Sequence, residues 1–365
     1  MNELFQGVVT LFLFFFILGT LVLVHEFGHF LTARLAGIRV LEFGIGFPPR
    51  AKILRAKGET LYTLNWLPIG GFVKLEGEDG EDPDDPRSFA HARLPVKLIV
   101  LVAGVVMNLI TAFLIFTLIA WAATPLLGAR LVAEPDPGSP AASVGLHKGD
   151  GIRAINGVSF DFYGPDVADI LRQHPGETVA LTVDRANGSQ EELSVQLRPQ
   201  AQLSDKVGPL GIGTPTVYFY DSYTQHDLVT AVGIGANETG RWFGVILAGL
   251  GDLVAKTVEN PTAEPSVAGP VGIATQIGDI FFDAGPILTL YVAGILSANL
   301  ALVNALPFPP LDGGRMLIIV LKSIFGRRIS LRAERLTYAV GFLFLFAFLI
   351  WVTGFDLARM FRGGT

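Results

Sequence analysis

The sequence predicts a multi-pass α-helical membrane protein with four transmembrane helices, a membrane-associated β-hairpin or sheet region, and an inserted extracytoplasmic domain of mixed α and β structure. The composition favours this class, because half of the 365 residues are hydrophobic and only 16% are charged. A water-soluble domain of this length would not stay in solution with that balance. Long apolar stretches support the same conclusion, since a bilayer core of about 30 Å needs roughly 20 residues of helix.

Four stretches meet this requirement, at residues 4–24, 98–123, 286–308 and 336–354. The first differs from a signal peptide: no basic residue precedes it, its apolar run is too long, and no small-residue cleavage site follows. We therefore expect it to remain as the first transmembrane helix.

The distribution of Lys and Arg predicts the orientation of these helices. None precedes the first stretch, ten lie in residues 34–97, and six lie in the short connection 315–335. Because cytoplasmic loops carry an excess of Lys and Arg, we expect both loops in the cytoplasm. Both termini and the long segment 125–285 are then extracytoplasmic.

The segments between the stretches differ in character. In the region 36–96, residues 41–78 alternate apolar and polar residues between glycines and prolines, which predicts two to four β-strands close to the cytoplasmic face. Residues 76–86 of the same region contain seven acids and two prolines, a composition typical of a solvated loop. Residues 227–256 are amphipathic but too polar for a fifth span, and predict a helix lying on the outer membrane surface.

Residues 128–200 are predicted to form the inserted domain. They contain short β-like runs, and the segment GSPAASVGLHKGDGIRAINGVSF combines a short helix, a tight turn and a strand with an Asn156-Gly157 hairpin turn. The predicted division of the chain is a first transmembrane helix (1–35), a reentrant β-rich region with the acidic loop (36–96), a second transmembrane helix (97–124), the inserted domain (128–200), a linker with the interfacial helix (201–268), and the last two transmembrane helices (269–365).

Ionisable residues inside a span are costly and indicate function, and the first stretch ends in VLVHEFGHF. On a helix, the spacing of His25 and His29 puts both imidazoles on one face, where they can share a metal ion while Glu26 flanks it. Such an HExxH pattern also arises by chance on the solvated faces of soluble helices, but an apolar helix has no solvated face. The absence of cysteine excludes thiolate ligands. Zinc held by His and carboxylate, with Glu26 as general base, fits this pattern.

A third ligand is needed, and the remaining acid at a span end is Asp312, in NALPFPPLDGGR. The prolines before it forbid a regular helix, so the third span is broken where this carboxylate lies. Broken helices at membrane depth are tolerated where they line a polar cavity. The alternative is that Asp312 caps the following helix.

These motifs together resemble the site-2 protease family, peptidase M50. The resemblance rests on HEFGH in the first span, on NxxPxPxLDG matched by residues 304–313, and on the inserted segment, which resembles a PDZ domain of the bacterial protease-associated type. The similar branch has four spans and outer PDZ domains, and includes the regulator-of-sigma-E proteases. In one departure, the second span reads AGVVMN where the family commonly has AGPxxN, so Val105 replaces a proline while Asn108 remains.

The resemblance implies roles for particular residues. His25, His29 and Asp312 would ligate Zn²⁺, Glu26 would be the base, and Asn304 would hydrogen-bond the substrate or oxyanion. It also implies a membrane-reentrant hairpin whose edge pairs with the unwound substrate, because a helical substrate must become extended before it can be attacked. The plausible substrate contacts there are Gly70, Gly71, Phe72 and Val73, with a simple hairpin turn as the alternative.

The expected function is zinc-dependent regulated intramembrane proteolysis of single-span membrane proteins, such as anti-sigma factors or remnant signal peptides. Expected partners are these substrates, an upstream site-1-type protease, a peptide or chain end at the PDZ domain, and membrane lipid. The net charge of −6 gives no indication of nucleic-acid binding. We expect a bacterial plasma membrane location, with the active site toward the cytoplasm.

Two other classes of protein remain as alternatives. A non-proteolytic PDZ membrane adaptor with a structural zinc site would have no use for Glu26 as an unligated base. A metal or ion transporter would also place His and Asp in the membrane, but four spans with no evident internal repeat fit it poorly.

Overall fold

The computed structural model describes residues 3–78, 85–204, 207–260, 265, 267–326 and 331–363. It divides into two compact units, one formed by Met1–Phe116 with Gly235–Thr365 and the other by Thr117–Ile234. In chain order the elements are α1 (Glu3–Leu35), β1 (Val40–Arg55), β2 (Leu61–Leu75), α2 (Leu94–Ala122), β3 (Thr124–Arg130), α3 (Pro140–Ser143), β4 (Gly151–Ile155), β5 (Val158–Asp161), α4 (Val167–Arg172), β6 (Thr178–Asp184), β7 (Gln190–Gln196), β8 (Thr216–Thr224), α5 (Leu228–Glu259), α6 (Pro270–Ala305), α7 (Asp312–Phe325) and α8 (Leu331–Gly363).

Four helices in the described part of the chain are long and apolar enough to cross a membrane, namely α1, α2, α6 and α8. The four stretches predicted from the sequence fall on these helices, which confirms their number and order. The amphipathic segment 227–256 forms α5, which is 32 residues long and is not among the four.

The third span departs from its predicted bounds at both ends. Helical structure already begins at Pro270, but Gly285 interrupts it with a φ of 83°. The following Pro286, where the prediction placed the start of the span, explains this break, because proline disfavours a helical conformation in the residue before it. At the other end, the helix stops at Ala305 rather than Phe308, since Pro307 has no N–H to continue the helical hydrogen bonding.

Strands β1 and β2 form one bent antiparallel sheet next to α1. Gly44 lies opposite both Phe72 and Thr63, and Ile45 lies opposite both Gly71 and Leu64. The middle of β1 is therefore paired with two separate runs of β2. The prediction of two to four strands is confirmed, and the structure forms two long strands that bend. The bends contain glycines with positive φ, Gly46 at 81° and Gly70 at 74°.

The acidic segment 76–86 is not a freely solvated loop at its ends, and that prediction is wrong there. Arg39 donates to Glu76 at 2.6 Å and to Asp85 at 3.4 Å. Glu78 pairs with Arg315 of α7 and is largely buried. The remaining acids of the run lie outside the described residues. The described acids of this segment are therefore paired with basic residues from other parts of the chain.

Helix α5 is joined to α6 by a polar network. Glu238 is 7% exposed, accepts from Arg241 at 2.6 Å, and is hydrogen-bonded by the Tyr291 hydroxyl. Trp242 donates its indole N–H to the same hydroxyl at 2.8 Å. Buried polar groups are stable only when they are paired in this way. This network fixes the middle of α5 against the third span.

The second unit is built on a six-stranded sheet in the order β7-β6-β4-β5-β3-β8. Ser139 caps α3 by accepting the N–H of Ala142 at 3.2 Å. Asn156 and Gly157 join β4 to β5 with φ values of 52° and 76°, the conformation that the Asn-Gly pair predicts for a two-residue hairpin. The predicted segment 128–200 lies within this unit, whose sheet also includes β8.

The start of α6 is capped by a residue of α8. Asp356 is 2% exposed and accepts hydrogen bonds from the N–H groups of Gly269 at 3.2 Å and Gly272 at 2.8 Å.

Because the first N–H groups of a helix have no partner within it, we expect Asp356→Ala to lower the free energy of unfolding by about 2 kcal/mol. Thermal unfolding of the detergent-solubilised protein measures this effect. Asp279→Ala, at an exposed position of α6, is the control, and an equal effect of both variants would contradict the capping role.

Asp150 gives the second unit a pH-dependent stability. Burial alone would raise the pKa of its carboxyl, but hydrogen bonds from the His147 N–H, the Arg185 guanidinium and the Ala186 N–H outweigh burial and lower that pKa. A carboxylate with a lowered pKa in the folded state contributes stability above its unfolded-state pKa of about 3.9, and this contribution is lost as the pH falls through the folded-state pKa.

We therefore expect hydrogen–deuterium exchange within residues 117–234, corrected for intrinsic rates, to show a free energy of opening that declines below about pH 4. Asp150→Asn should weaken the unit at neutral pH and remove that part of the decline. Asp169→Asn, at an exposed position of α4, should leave both unchanged. A decline of native size in the Asp150 variant would refute this role.

Candidate metal centre

Three side chains from opposite ends of the chain meet in the first unit. The Asp312 Oδ2 atom lies 2.9 Å from His25 Nε2 and 3.2 Å from His29 Nε2. The two Nε2 atoms are themselves 3.2 Å apart. Both histidines are buried, at 5% and 6% exposure, although Asp312 follows His25 by 287 residues. The residues that the sequence predicted as ligands are thus brought together.

The two histidines are positioned by the regular geometry of α1, where residues four apart lie one above the other. His29 is further fixed by a bond from its Nδ1 to the carbonyl oxygen of Val100, at 2.8 Å. Since a carbonyl can only accept, Nδ1 carries a ring proton, and in the neutral imidazole Nε2 then has the free lone pair and faces the cluster. A histidine that binds a metal is commonly oriented by such a second hydrogen bond.

Helices α1 and α2 approach each other closely at this point because each has a glycine at the contact. A Cβ atom added to Gly28 would lie 2.5 Å from the Ala103 carbonyl oxygen. One added to Gly104 would lie 2.5 Å from His29 Nε2 and 2.7 Å from His25 Nε2. The backbone of α2 at Gly104 therefore forms one wall of the cluster, in the manner of small residues at contacts between membrane helices.

Asp312 reaches the histidines from the first turn of α7, directly after the proline-rich break. A Cβ added to Gly313 would collide with the carbonyls of Ala305 and Leu306, and one added to Gly314 would collide with Phe308. The two glycines thus allow α7 to start against the end of α6. Leu311 holds the N-cap position of α7, so Asp312 does not cap the helix and its carboxylate faces the histidines.

Glu26 lies on the same turn of α1 as the histidines and is partly exposed. It interacts electrostatically with both of them and with Asp312. Glu26 lies beside the cluster and makes no direct bond to it among the described contacts. A proton-accepting side chain needs such a position.

The remaining predicted site residues lie on two elements. Asn304 is half-buried in the last turn of α6. Gly70 and Gly71 are buried in β2 against Val22 and Leu23 of α1, and they belong to a bend within a strand rather than to a simple hairpin turn. Phe72 and Val73 follow in the same strand and are half-buried.

The geometry of the cluster fits a zinc ion. Ligands at about 2.0 Å in a tetrahedral arrangement are about 3.3 Å from one another, close to the separations of the three atoms here. Two imidazole nitrogens and one carboxylate oxygen are ligand types that zinc accepts, and three protein ligands leave one position open, as catalytic sites do. Among the described residues, no histidine other than His25 and His29 belongs to this group of possible metal ligands.

Two residues at this site carry little signal in the sequence. Asn108 stands out only through the AGVVMN motif, yet its side chain lies 3.4 Å from His25 Nδ1 and is fully buried. Gly104 precedes it by one turn. Val100, Gly104 and Asn108 lie on one face of α2. A glycine followed one turn later by an amide within an apolar helix is the signal that could have indicated the last two.

A candidate metal-ligand set with an adjacent carboxylate, in a chain whose described part has four helices apolar enough to cross a membrane, defines the molecule as a membrane-embedded metal-dependent hydrolase. The model of Peptidase family M50 matches residues 13–348, and the chain belongs to this family. Relatives include zinc metalloprotease RasP of Geobacillus kaustophilus, 26% identical over 99% of this chain and 100% of the relative. RasP of Bacillus licheniformis is 29% identical over 96% and 99% respectively. The protein is a metalloprotease.

The packing at Gly104 leads to a prediction about metal binding. A methyl group there would press on the Nε2 atoms of His25 and His29, and a misplacement of about 1 Å in a catalytic site can cost about 100-fold in rate. We expect Gly104→Ala to lose most of its bound metal, measured by mass spectrometry of the purified protein, together with its peptidase activity. Gly354→Ala in α8, where nothing lies within 4 Å of the added atom, should retain both. Normal metal content in the Gly104 variant would contradict the close contact.

Proposed function

We propose that this metalloprotease uses zinc to cut single-span membrane proteins within or near the cytoplasmic half of the bilayer. It is a site-2 protease-type intramembrane protease of a bacterial inner membrane. The observation that carries the proposal is the meeting of His25, His29 and Asp312, with Glu26 beside them on α1, a helix apolar enough to cross a membrane. The relatives named zinc metalloproteases support zinc as the metal.

The proposed chemistry assigns a separate task to each side chain. His25, His29 and Asp312 would hold the zinc ion, and a zinc ion bound there would supply Lewis-acid chemistry for the attacking water and the scissile carbonyl. Glu26 accepts the proton of the attacking water and returns it to the leaving amine. The Val100 carbonyl keeps His29 in the orientation that exposes Nε2. We assign Asn304 to hydrogen bonding with the substrate or oxyanion.

We further propose that β2 receives the substrate as an extended strand. Among the described residues, the run 71–75 of β2 pairs on one side only, with β1. Such an edge can hydrogen-bond another extended chain. Gly70 and Gly71 pack on the α1 residues that lie just before His25, so this edge lies next to the helix that carries two metal ligands. Phe72 and Val73 are the side chains we assign to substrate contact.

We propose that the second unit is a PDZ-like domain that selects substrates through a peptide or chain end. A groove of about 680 Å³ lies within it, lined in part by Phe160, Val167, Leu171 and Leu210. An apolar groove of this volume suits a short peptide segment. With α5 lying on the outer surface and both termini extracytoplasmic, the unit would filter substrates already trimmed by a site-1-type protease, such as anti-sigma factors or remnant signal peptides.

The direct test is cleavage of a tagged single-span protein in liposomes, with bound zinc measured on the same samples. Glu26→Gln should keep zinc and lose about 100- to 10,000-fold in cleavage rate, because it removes the general base but no ligand. Asp312→Ala should lose both zinc and cleavage. A matched control is Asp279→Ala, which changes an exposed acid of α6 and should leave both unchanged.

Equal cleavage by the native protein and Glu26→Gln would overturn the proposed mechanism. An uncleaved substrate in the presence of a fully zinc-loaded native protein would instead favour a PDZ membrane adaptor with a structural zinc site. Transport of zinc into the liposomes, with no cleavage, would favour a transporter.

A further inference from the structure

The two histidines of the metal centre receive different support from α2. His29 donates its Nδ1 proton to the Val100 carbonyl at 2.8 Å. His25 directs Nε2 into the cluster in the same way, 2.9 Å from Asp312 Oδ2. Its Nδ1 atom faces the side-chain amide of Asn108, at 3.4 Å. The partner of His25 is therefore a side chain, whereas that of His29 is a backbone group.

Metal binding through Nε2 fixes the proton of a neutral imidazole on Nδ1. The group facing Nδ1 must then accept a hydrogen bond, which only the oxygen of the Asn108 amide can do. With the amide nitrogen toward the ring, Asn108 donates to Nδ1 and the proton of His25 lies on Nε2, where a metal would have to bind. The two orientations of this amide thus correspond to the two tautomers of His25, and the nitrogen and oxygen of an amide can exchange places with little change in shape.

The surroundings of Asn108 indicate that this side chain serves the ring rather than the packing of α2. Asn108 is 0% exposed, and its Oδ1 atom has no hydrogen-bond partner when the amide nitrogen faces His25. An unpaired buried acceptor is destabilising, and reversal of the amide gives Oδ1 the Nδ1–H of His25 as a partner. The backbone at this position is fixed separately, since Ser297 of α6 donates to the Asn108 carbonyl at 2.8 Å.

We infer that Asn108 is a positioning residue of the metal centre, whose amide oxygen accepts the Nδ1 proton of His25 and so leaves Nε2 free for the metal. Helix α2 then supports both ligands of α1 from one face, through the Val100 carbonyl for His29 and the Asn108 side chain for His25. Gly104 lies between them and allows the approach.

The inference rests on the proposed zinc site and is tested by metal affinity rather than by activity. The full-length protein in detergent is stripped of metal, and zinc is titrated against a coloured chelator. Asn108→Leu has a similar shape and no acceptor, so we expect zinc to bind about 10- to 100-fold more weakly. Asn108→Asp can only accept, and we expect native or tighter affinity. Thr111→Val, which removes a hydroxyl that bonds only within α2, should bind zinc as the native protein does.

The contrast between Asp and Leu distinguishes an acceptor from a merely structural residue. Equal weakening by both substitutions would show that the amide nitrogen is what matters, and would overturn the inference. Native affinity in Asn108→Leu would overturn it as well. Where the Leu variant does not fold, Asn108→Ala replaces it, because it also removes the acceptor. A native protein that binds no zinc would refute the proposed function itself, whereas tight native binding with no effect of any Asn108 variant would refute only this inference.

Discussion

The close approach of α1 and α2 at Gly28 and Gly104 is the constraint on which the metal centre depends. In an apolar medium, polar groups must find partners inside the protein, and the imidazoles of His25 and His29 find theirs on α2. The Val100 carbonyl can receive His29 because a carbonyl has two lone pairs, of which the helix uses one. A side chain at position 104 would separate the helices and leave both rings without this support.

The local parts of this arrangement could be predicted from the sequence. The spans follow from length and hydropathy, and the ligand pair on α1 follows from helical spacing. The proline-rich break before Asp312 also follows from local chemistry, because proline excludes a helix at that point wherever the segment lies in the fold.

Contacts between distant segments carry no comparable signal. Every residue has a carbonyl, so nothing in the sequence marks Val100 as the partner of His29. The ion pair of Glu78 with Arg315 joins residues 237 apart, and the acidic run around Glu78 is indistinguishable from a solvated loop until that partner is known. Likewise, alternating apolar and polar residues indicate strands, but they cannot show that the middle of β1 pairs with two runs of β2.

Strand β2 connects the two halves of the metal centre and so belongs to the site rather than to a separate cytoplasmic domain. At its bend, Gly70 and Gly71 pack on α1 immediately before His25. Just beyond its end, Glu78 pairs with Arg315, one turn after Asp312 in α7. Helix α1 supplies two ligands and α7 supplies the third, so the position of this strand bears on all three. Under the proposed edge pairing, a substrate strand along residues 71–75 would lie against a strand that packs on the helix carrying His25 and His29. Recognition of an extended chain and the geometry of the metal site would then depend on the same strand.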